Sequence, residues 1–521
     1  MKVFLSILAI LLTLLWLPFE THGASSRSGD FDLTILHIND IHSSVDQYPV
    51  LKTAVDQIRK SSPNTLFLLA GDVFTGSPYF SHYKGMADMY FLNRLGLDAF
   101  TVGNHEFDEA PEGLERFIKK ADFPFLSANI RFPDSFSSYM RKEISSEVET
   151  GKIYPAIIKV VGKEKIGIIG LTTETTNVTK NNWAAKIEDP IPLAQKLVRE
   201  LEKMGVNKII VLSHLGFEGD QKLAFKVDGI DIIVGGHSHT KLVTPYVVKK
   251  TDPVLIVQAH ERLKYLGVLN VRFNQDGQII LFEGTLQKLV DSIYPRDKKF
   301  QKKVDAFLSK LDPTWMDTIN SSEVFLDGER NHVRKEETNF GNLIADSFLQ
   351  EGKKVDSEVT IGMVNAGSIR SSIEKGKITR WDLAVAAPFN LTLTVMKLTG
   401  EEILQTLEEG LVNFPKESHK FLHVSGLRVE FDPNKPEMER IVSVKVMSPK
   451  GNYEPLNKNA WYKVATNSYV AFGKGYPALR KAQAENRMQD KGILDVQVIA
   501  NYLQKMKVVA PEVEGRIVIR K

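Results

Sequence analysis

Short hydrophobic runs alternate with amphipathic segments through the first half of the chain. The runs rich in β-forming residues cover Leu33–Ile38, Thr65–Leu69, Ala99–Val102, Lys165–Leu171, Lys208–Leu212 and Asp231–Val234. Between them, apolar residues at helical spacing predict helices over Lys52–Lys60, Gly113–Lys120 and Pro192–Lys203. Because the strands alternate with helices, the pattern predicts a layered α/β or α+β core over residues 30–293.

A second region follows a helical linker. Between Tyr294 and Leu311, apolar residues recur at helical spacing and predict a connecting helix within residues 294–319. We expect residues 320–521 to form a second α/β domain. Its predicted helices are Gly341–Gln350, Glu401–Leu411 and Leu494–Met506, and its predicted strands are Val359–Val364, Leu391–Leu398 and Leu427–Phe431.

The first residues have the features of an export signal. Met1-Lys2 is followed by the apolar run Val3–Leu17, then by Pro18 and a stretch that contains small residues. This arrangement predicts a cleaved signal peptide over residues 1–23. The run is short for a membrane span, which needs about 20 residues. We therefore expect an exported protein, periplasmic or extracellular, with no stable membrane anchor after cleavage.

Composition excludes several kinds of chemistry and partner. The 521 residues include 0 Cys, which excludes disulfides, thiolate zinc sites, iron–sulfur clusters and Cys nucleophiles. The 67 Lys+Arg residues nearly balance the 64 Asp+Glu residues, so the net charge of +3 gives no electrostatic case for a nucleic-acid partner. The length allows roughly two to four domains.

Side chains able to bind metal ions follow five of the hydrophobic runs. They are Asp40 and His42, Asp72, Asn104, His214, and the pair His237 and His239. In sheet-based folds, sites gather at strand ends, where neighbouring loops meet at one edge. We therefore expect these side chains to converge on one place.

The donor set predicts a site for two divalent cations. Oxygen and imidazole donors without sulfur suit Mn, Zn, Co, Fe or Mg, and the sequence leaves the identity open. Asp40 with His42, and His237 with His239, lie two residues apart, so in extended chain each pair would face one side. The donors are too many for one tetrahedral ion. They fit two ions about 3.5–4 Å apart, for which Asp72 is the best bridging carboxylate.

Two such ions predict hydrolysis at phosphorus. They lower the pKa of a shared water, so the nucleophile would be metal-bound hydroxide and no protein nucleophile is needed. His105 directly follows Asn104 and is expected to point to the substrate rather than to a metal. Asp108 would orient His105 in a catalytic dyad that stabilises the phosphoryl group or protonates the leaving oxygen. The alternative for Asp108 is a helix cap before Pro111, a role that is compatible with the dyad.

Taken together, these motifs resemble the calcineurin-like metallophosphoesterase signature. The matching motifs are Asp40-Ile41-His42, Gly71-Asp72, Gly103-Asn104-His105-Glu106, Ser213-His214 and Gly236-His237-Ser238-His239, and Phe107-Asp108 narrows the resemblance to the exported 5′-nucleotidase family. The resemblance implies a four-layered α/β/β/α sandwich followed by a C-terminal substrate-binding domain. It also implies one metal on Asp40, His42 and His239, a second on Asn104, His214 and His237, and Asp72 as the bridge.

The same resemblance implies a substrate pocket in the second region. Asn365 and Arg370 lie in a turn that is similar to a substrate-binding turn of the family, and Arg334 matches a second phosphate-contacting arginine. Two aromatic residues, Phe389 and Tyr469, match those that stack on a base. Lys474 stands where the family has a ribose-binding Asp, and an ammonium group only donates hydrogen bonds. The preferred substrate is therefore left open.

These features predict an exported two-metal phosphohydrolase that releases phosphate from nucleotides. Alternatives with the same chemistry are a 2′,3′-cyclic-nucleotide phosphodiesterase, a UDP-sugar hydrolase and a broad phosphomonoesterase acting on other phosphate esters. A non-catalytic surface binding protein is an alternative of another class, which the intact donor set disfavours. The sequence leaves the oligomeric state open.

Overall fold

The computed structural model describes residues 29–176, 183–448, 450–473 and 475–520. The predicted signal peptide over residues 1–23 lies outside these ranges, and so does Lys474. Within them, no helix has both the length and the apolar character needed to cross a membrane.

The first part of the chain alternates strands and helices, as its hydrophobic pattern predicts. Its strands are β1 (Phe31–Ile38), β2 (Thr65–Leu69), β3 (Ala99–Thr101), β4 (Phe125–Leu126), β5 (Ile130–Arg131), β6 (Ile153–Tyr154), β7 (Ala156–Val161), β8 (Glu164–Thr172), β9 (Lys186–Ile187), β10 (Ile209–His214), β11 (Ile232–Val234), β12 (Tyr246–Val248), β13 (Val254–Val257), β14 (Tyr265–Phe273) and β15 (Ile279–Lys288). Its helices are α1 (Tyr48–Ser61), α2 (Pro78–Tyr83), α3 (Met86–Leu95), α4 (Pro111–Lys119), α5 (Pro190–Lys203), α6 (Phe217–Lys226) and α7 (Lys298–Leu308).

Two large sheets pack face to face in this part of the molecule. One has the order β15-β14-β1-β2-β3-β4-β6, and the other has the order β12-β13-β11-β10-β8-β7. Between them lies an apolar core that includes Leu66, Leu68, Ile168 and Leu212. Helices α1, α3, α4 and α7 cover the outer face of the first sheet, and α5 and α6 cover the second. This layering confirms the predicted α/β/β/α order.

The topology of the two sheets decides where the functional loops lie. Strands β1, β2 and β3 run parallel to one another, as do β8, β10 and β11 in the second sheet. Their residues are almost wholly buried, because both faces of each sheet are covered. The loops that follow parallel strands emerge at a shared edge; His214 ends β10 at this edge, and the other candidate metal ligands lie in the loops.

The second part of the chain forms a separate set of sheets and helices. Its strands are β16 (Thr318–Ser322), β17 (Val359–Asn365), β18 (Gly376–Thr379), β19 (Thr392–Thr399), β20 (Leu422–Ser425), β21 (Leu427–Phe431), β22 (Ile441–Met447), β23 (Tyr453–Pro455), β24 (Trp461–Asn467), β25 (Met488–Leu494) and β26 (Ile517–Ile519). Its helices are α8 (Arg330–Val333), α9 (Asn339–Val355), α10 (Arg380–Ala386), α11 (Gly400–Leu411), α12 (Ser468–Phe472), α13 (Arg480–Ala484) and α14 (Asp495–Leu503). The central sheet has the order β20-β17-β24-β19-β25, and α9 packs on it.

Helix ends differ from the sequence prediction where a capping residue decides them. The connecting helix α7 begins at Lys298 rather than at Tyr294, because the Asp297 side chain accepts a hydrogen bond from the Phe300 N–H at 2.8 Å. Helix α5 begins two residues earlier than predicted, at Pro190, because the Asp189 carboxylate caps it. Apolar periodicity marks the buried face of a helix but not its first turn.

The two large sheets of the first part of the chain pack too closely to leave room for a side chain at Gly170 in β8. A Cβ there would lie 2.3 Å from the Cβ of Leu126 and 2.6 Å from its carbonyl carbon. We expect Gly170→Ala to lower the free energy of unfolding by about 3 kcal/mol, because the opposing backbone cannot yield. Gly167→Ala in the same strand would meet the methyl groups of Leu201, which can move, and should cost about 1 kcal/mol. Equal losses in urea unfolding would contradict this packing.

Candidate active site

Most of the candidate metal ligands lie in tight turns with left-handed backbone. The φ angles are 50° at Asp40, 49° at His42, 58° at Asp72, 69° at His237 and 56° at His239. The expectation of extended chain at Asp40–His42 and His237–His239 is therefore wrong. Left-handed conformations cost energy in residues other than glycine and cluster at functional sites.

The first cluster of donors combines Asp40, His42 and His239. The Nε2 atoms of His42 and His239 face each other at 3.2 Å, and the His239 Nε2 lies 3.1 Å from Asp40 Oδ1. All three residues are buried. Two imidazole nitrogens aimed at one point beside a carboxylate fit a cation there, because a cation accepts all three lone pairs.

The second cluster combines Asp72, His214, Asn104 and His237. The Nε2 of His214 lies 3.0 Å from Asp72 Oδ2 and 3.2 Å from Asn104 Oδ1, and the His237 Nδ1 lies 2.7 Å from the same Asn104 oxygen. The donor atoms of Asp72, His214 and His237 all lie within 4.8 Å of one another. Asp72 also groups with His42, so its carboxylate lies between the two clusters.

Contacts on the far side of the imidazoles orient them. The Nδ1 of His239 bonds to Glu261 at 2.7 Å, and the Nδ1 of His214 bonds to the Ala70 carbonyl at 2.7 Å. Burial raises the pKa of Glu261, but His239, with the nearby charges of Lys264 and Arg262, outweighs that effect and holds the pKa well below its usual range. These partners leave the Nε2 lone pairs directed into the clusters. Glu261 was missed from the sequence, although it follows the apolar run that forms β13.

Glu106 is a further residue that sequence reasoning did not assign. Its Oε2 accepts hydrogen bonds from the N–H groups of Asp72 at 3.0 Å and Gly103 at 2.7 Å. Its Oε1 accepts from Val73 at 2.8 Å and Phe74 at 3.3 Å. Burial raises the pKa of this fully buried carboxyl to about 7 in spite of those donors. The loops after β2 and β3 are therefore joined through one side chain.

His105 and Asp108 form the predicted pair. The His105 Nδ1 lies 2.6 Å from Asp108 Oδ2, and the His105 backbone N–H donates to Asp72 Oδ1 at 2.8 Å. Burial lowers the pKa of His105, but the Asp108 and Asp72 carboxylates outweigh it, so the pKa is raised overall. The alternative cap role for Asp108 is wrong, because Ala110 occupies the N-cap position of α4.

Arginines of the second part of the chain lie beside the first cluster. A cavity of about 350 Å³ is lined by His239 and by Arg330, Arg334 and Arg370. The Arg370 guanidinium lies 3.4 Å from the His42 Nε2, and Arg330 pairs with Glu417 at 2.9 Å. No motif in the sequence includes Arg330. The only signal for it is its position four residues before Arg334, which in a helix places both side chains on one face.

Arg334 is buried, with 8% of its surface exposed, and its side chain donates no hydrogen bond within the described residues. Burial, together with the charges of Arg330 and Arg370, holds its pKa well below the usual range. Burial likewise lowers the pKa of Arg370 to about 10. Three converging guanidinium groups, one of them without a hydrogen-bond partner among the described residues, are typical of an anion-binding site.

The remaining predicted residues, Phe389, Tyr469 and Asn365, have different partners. Phe389 stacks on His105, with ring centroids 5.9 Å apart, and the Arg370 guanidinium lies 5.6 Å from the Phe389 ring. Tyr469 instead contacts His419 at 6.3 Å. Asn365 is buried, and its amide bonds to Asn467 at 3.0 Å and to the His419 carbonyl at 3.1 Å. A base clamp between Phe389 and Tyr469 therefore stays a prediction.

Two family models match the chain in tandem. The model of the calcineurin-like phosphoesterases matches residues 33–241, a range that includes every candidate metal ligand. The model of the 5′-nucleotidase C-terminal domain matches residues 318–481, a range that includes Arg334, Arg370, Phe389 and Tyr469. The two groups of predicted site residues thus belong to two different matched regions.

Similar proteins combine both regions. The 5′-nucleotidase of Mus musculus is 36% identical over 532 residues, which cover 94% of this chain and 90% of that protein. The trifunctional nucleotide phosphoesterase protein YfkN of Bacillus subtilis is 35% identical, and this chain spans 35% of its length. The crystal structure of a 5′-nucleotidase precursor from Thermus thermophilus superposes with a TM-score of 0.85 at 37% identity, covering 94% of this chain and 99% of that one.

Glu106 offers a direct test of how the metal loops are held. In Glu106→Gln, an amide NH₂ group would face two of the four backbone N–H donors. We expect the free energy of unfolding to fall by about 2–3 kcal/mol, since two of the backbone N–H donors lose their acceptor and stay buried. Bound metal per chain should fall as well, because Asp72 and Asn104 lose their common support. Glu112→Gln on the exposed face of α4 is the control, and an equal response would contradict the role of Glu106.

Proposed function

Because this chain belongs to the 5′-nucleotidase family of metal-dependent phosphoesterases, we propose that it is an exported enzyme that releases phosphate from nucleotides. Hydrolases of this family use two divalent cations. The export part of the proposal rests on the N-terminal sequence. The substrate part rests on the cavity between the two regions of the chain and on its arginines.

The donor clusters fit the two cations. One cation would be held by Asp40, His42 and His239. The other would be held by Asn104, His214 and His237. Asp72 would contribute to both sites. Cations held there would supply the positive charge that polarises a phosphoryl oxygen and makes water nucleophilic near neutral pH. Glu261 and Glu106 would keep the ligands aimed, so that little reorganisation is needed when the ions bind.

His105 would carry the proton for the leaving oxygen. Its Nδ1 is bonded to Asp108, so its Nε2 is the nitrogen that a substrate can reach. The raised pKa favours the protonated imidazole near neutral pH, which suits a donor to the leaving oxygen or to a charged phosphoryl oxygen. Phe389 packs against this ring and would limit its rotation.

The single observation that carries the proposal is the buried Arg334, without a side-chain hydrogen bond among the described residues, beside the donor clusters. A guanidinium group without a partner is costly to bury, and a phosphate group would satisfy it with two parallel hydrogen bonds. Arg370 and Arg330 would add charge to the same anion. This arrangement favours a phosphorylated substrate over the alternative of a non-catalytic binding protein, because anion and cation sites lie side by side.

We therefore expect Arg334 to lower the stability of the folded protein and to contribute to binding of the substrate. We expect Arg334→Met to raise the free energy of unfolding by about 1–2 kcal/mol, because an unpaired buried charge is removed. The same change should raise the KM for AMP by about 10- to 100-fold. Arg516→Met is the matched control: Arg516 is also buried but pairs with Asp346 at 2.6 Å, so its loss should cost about 3–5 kcal/mol. Urea unfolding and phosphate-release kinetics measure both. Destabilisation by Arg334→Met would contradict the assignment of Arg334 to an anion-binding site.

The substrate class is tested by phosphate release from the mature protein with added Mn. AMP, 2′,3′-cyclic AMP, UDP-glucose and an aryl phosphate are compared, with Asp72→Ala as the blank. We expect release from AMP that a chelator abolishes and that the blank lacks. Release from the aryl phosphate alone would show the metal chemistry without nucleotide recognition. No release from any substrate would overturn the proposed function.

A further inference from the structure

We propose that Thr75 is a positioning residue for the His105–Asp108 pair, holding the Asp108 carboxylate in the orientation that receives His105. The inference rests on the proposed function, since that function gives the pair its catalytic role. Thr75 lies in the loop after β2, three residues beyond Asp72, and no motif in the sequence assigns it.

Two donors meet at one carboxylate oxygen. The Thr75 hydroxyl donates to Asp108 Oδ2 at 2.6 Å, and the His105 Nδ1 lies 2.6 Å from the same oxygen. A carboxylate only accepts hydrogen bonds, so the hydroxyl must be the donor. With both donors in place, the Asp108 oxygen is fixed in direction as well as in distance. Thr75 itself is buried, with 6% of its surface exposed.

The backbone at Thr75 indicates that its side chain is kept for a reason. Its φ is 61°, a left-handed conformation that is a genuine outlier for a β-branched residue. The next residue has φ 124° and is Gly76, where a Cβ would lie 2.7 Å from the His42 Cβ. Glycine would relieve the strain at position 75 as well. The hydrogen bond to Asp108 accounts for a threonine there.

The loop around Thr75 is held from both sides. Glu106 accepts the N–H groups of Val73 and Phe74, and the Phe74 carbonyl lies 3.3 Å from the His42 Nδ1. The contacts that hold the candidate metal ligands therefore also hold the backbone next to Thr75, and with it the position of the Thr75 hydroxyl. Thr75 thus ties the orientation of Asp108 to the position of the candidate metal ligands.

Asp108 lies at the edge of a cavity. A cavity of about 410 Å³ is lined by Thr75, Asp108 and Phe389. The Asp108 side chain is 22% exposed there, against 10% for His105. A carboxylate at the wall of a cavity can rotate toward water. The second hydrogen bond from Thr75 opposes that rotation.

Three substitutions at position 75 separate the hydroxyl from the backbone. Thr75→Val keeps the shape without the hydroxyl, Thr75→Gly removes both the hydroxyl and the strain, and Thr75→Ser keeps the hydroxyl. We expect kcat for AMP to fall by about 30-fold in the Val and Gly variants, with KM within about threefold of the parent. Thr75→Ser should keep kcat within about threefold. A Gly variant with the kcat of the parent would overturn the inference.

A double-mutant cycle tests whether Thr75 acts through Asp108. In an Asp108→Ala background, Thr75→Val should cause no further loss of kcat, because its only effect is on the removed carboxylate. An additional loss comparable to that in the parent would overturn the inference. The Thr75→Val protein should also retain its bound metal, measured by elemental analysis; loss of metal would assign Thr75 to the metal loop instead and overturn it.

The controls separate this inference from the proposed function. Thr406→Val removes another buried hydroxyl, which donates to the Glu402 carbonyl at 2.6 Å on α11, and should leave kcat unchanged. A parent protein that releases no phosphate from any ester would overturn the proposed function. A parent that is active while all three Thr75 variants match it would overturn only the positioning role.

Discussion

The metal site depends on one buried carboxylate that joins two tight loops. Glu106 accepts four backbone N–H groups from the loops after β2 and β3, at distances from 2.7 to 3.3 Å. Buried N–H groups without an acceptor would be costly, and the turns that carry Asp72 and Asn104 expose their N–H groups to the protein interior rather than to water. Glu106 satisfies them and so sets the separation between the loops that carry Asp72, the candidate bridging carboxylate, and Asn104.

Several features of the candidate site around Glu106 lower the stability of the folded protein. Five ligand positions adopt left-handed backbone, and Arg334 is buried with no side-chain hydrogen bond to the part of the chain that the structure describes. Each of these features costs free energy, which the large apolar cores of the two parts of the chain offset. The cations and the phosphate group that would relieve them are the ligands that this family uses. Local instability and function thus have the same origin here.

The candidate site is built from both parts of the chain. The first part supplies the donor clusters and the His105–Asp108 pair. The second supplies Arg370, whose guanidinium lies 3.4 Å from the His42 Nε2, and Phe389, which stacks on His105. Neither part alone would place an anion-binding group beside a cation-binding one. Groups suited to bind an anion and groups suited to bind cations are therefore brought together by direct contact between the two parts of the chain.

The sequence by itself determined the strands of the first sheets and the residues that follow them. Periodicity records burial, and short apolar runs ending in Asp, His or Asn mark strand ends that carry chemistry. It therefore predicted a layered α/β or α+β core and the seven donors that the structure gathers into two clusters, whereas the α/β/β/α order was implied by the resemblance of the motifs to a known family. Only the tertiary structure decided the left-handed turns at Asp40 and His42, and the supporting contacts of Glu106, Glu261 and Arg330. The physical reason is that those contacts join loops from distant strands. Their geometry follows from how the sheets and the two parts of the chain pack, which local patterns do not record.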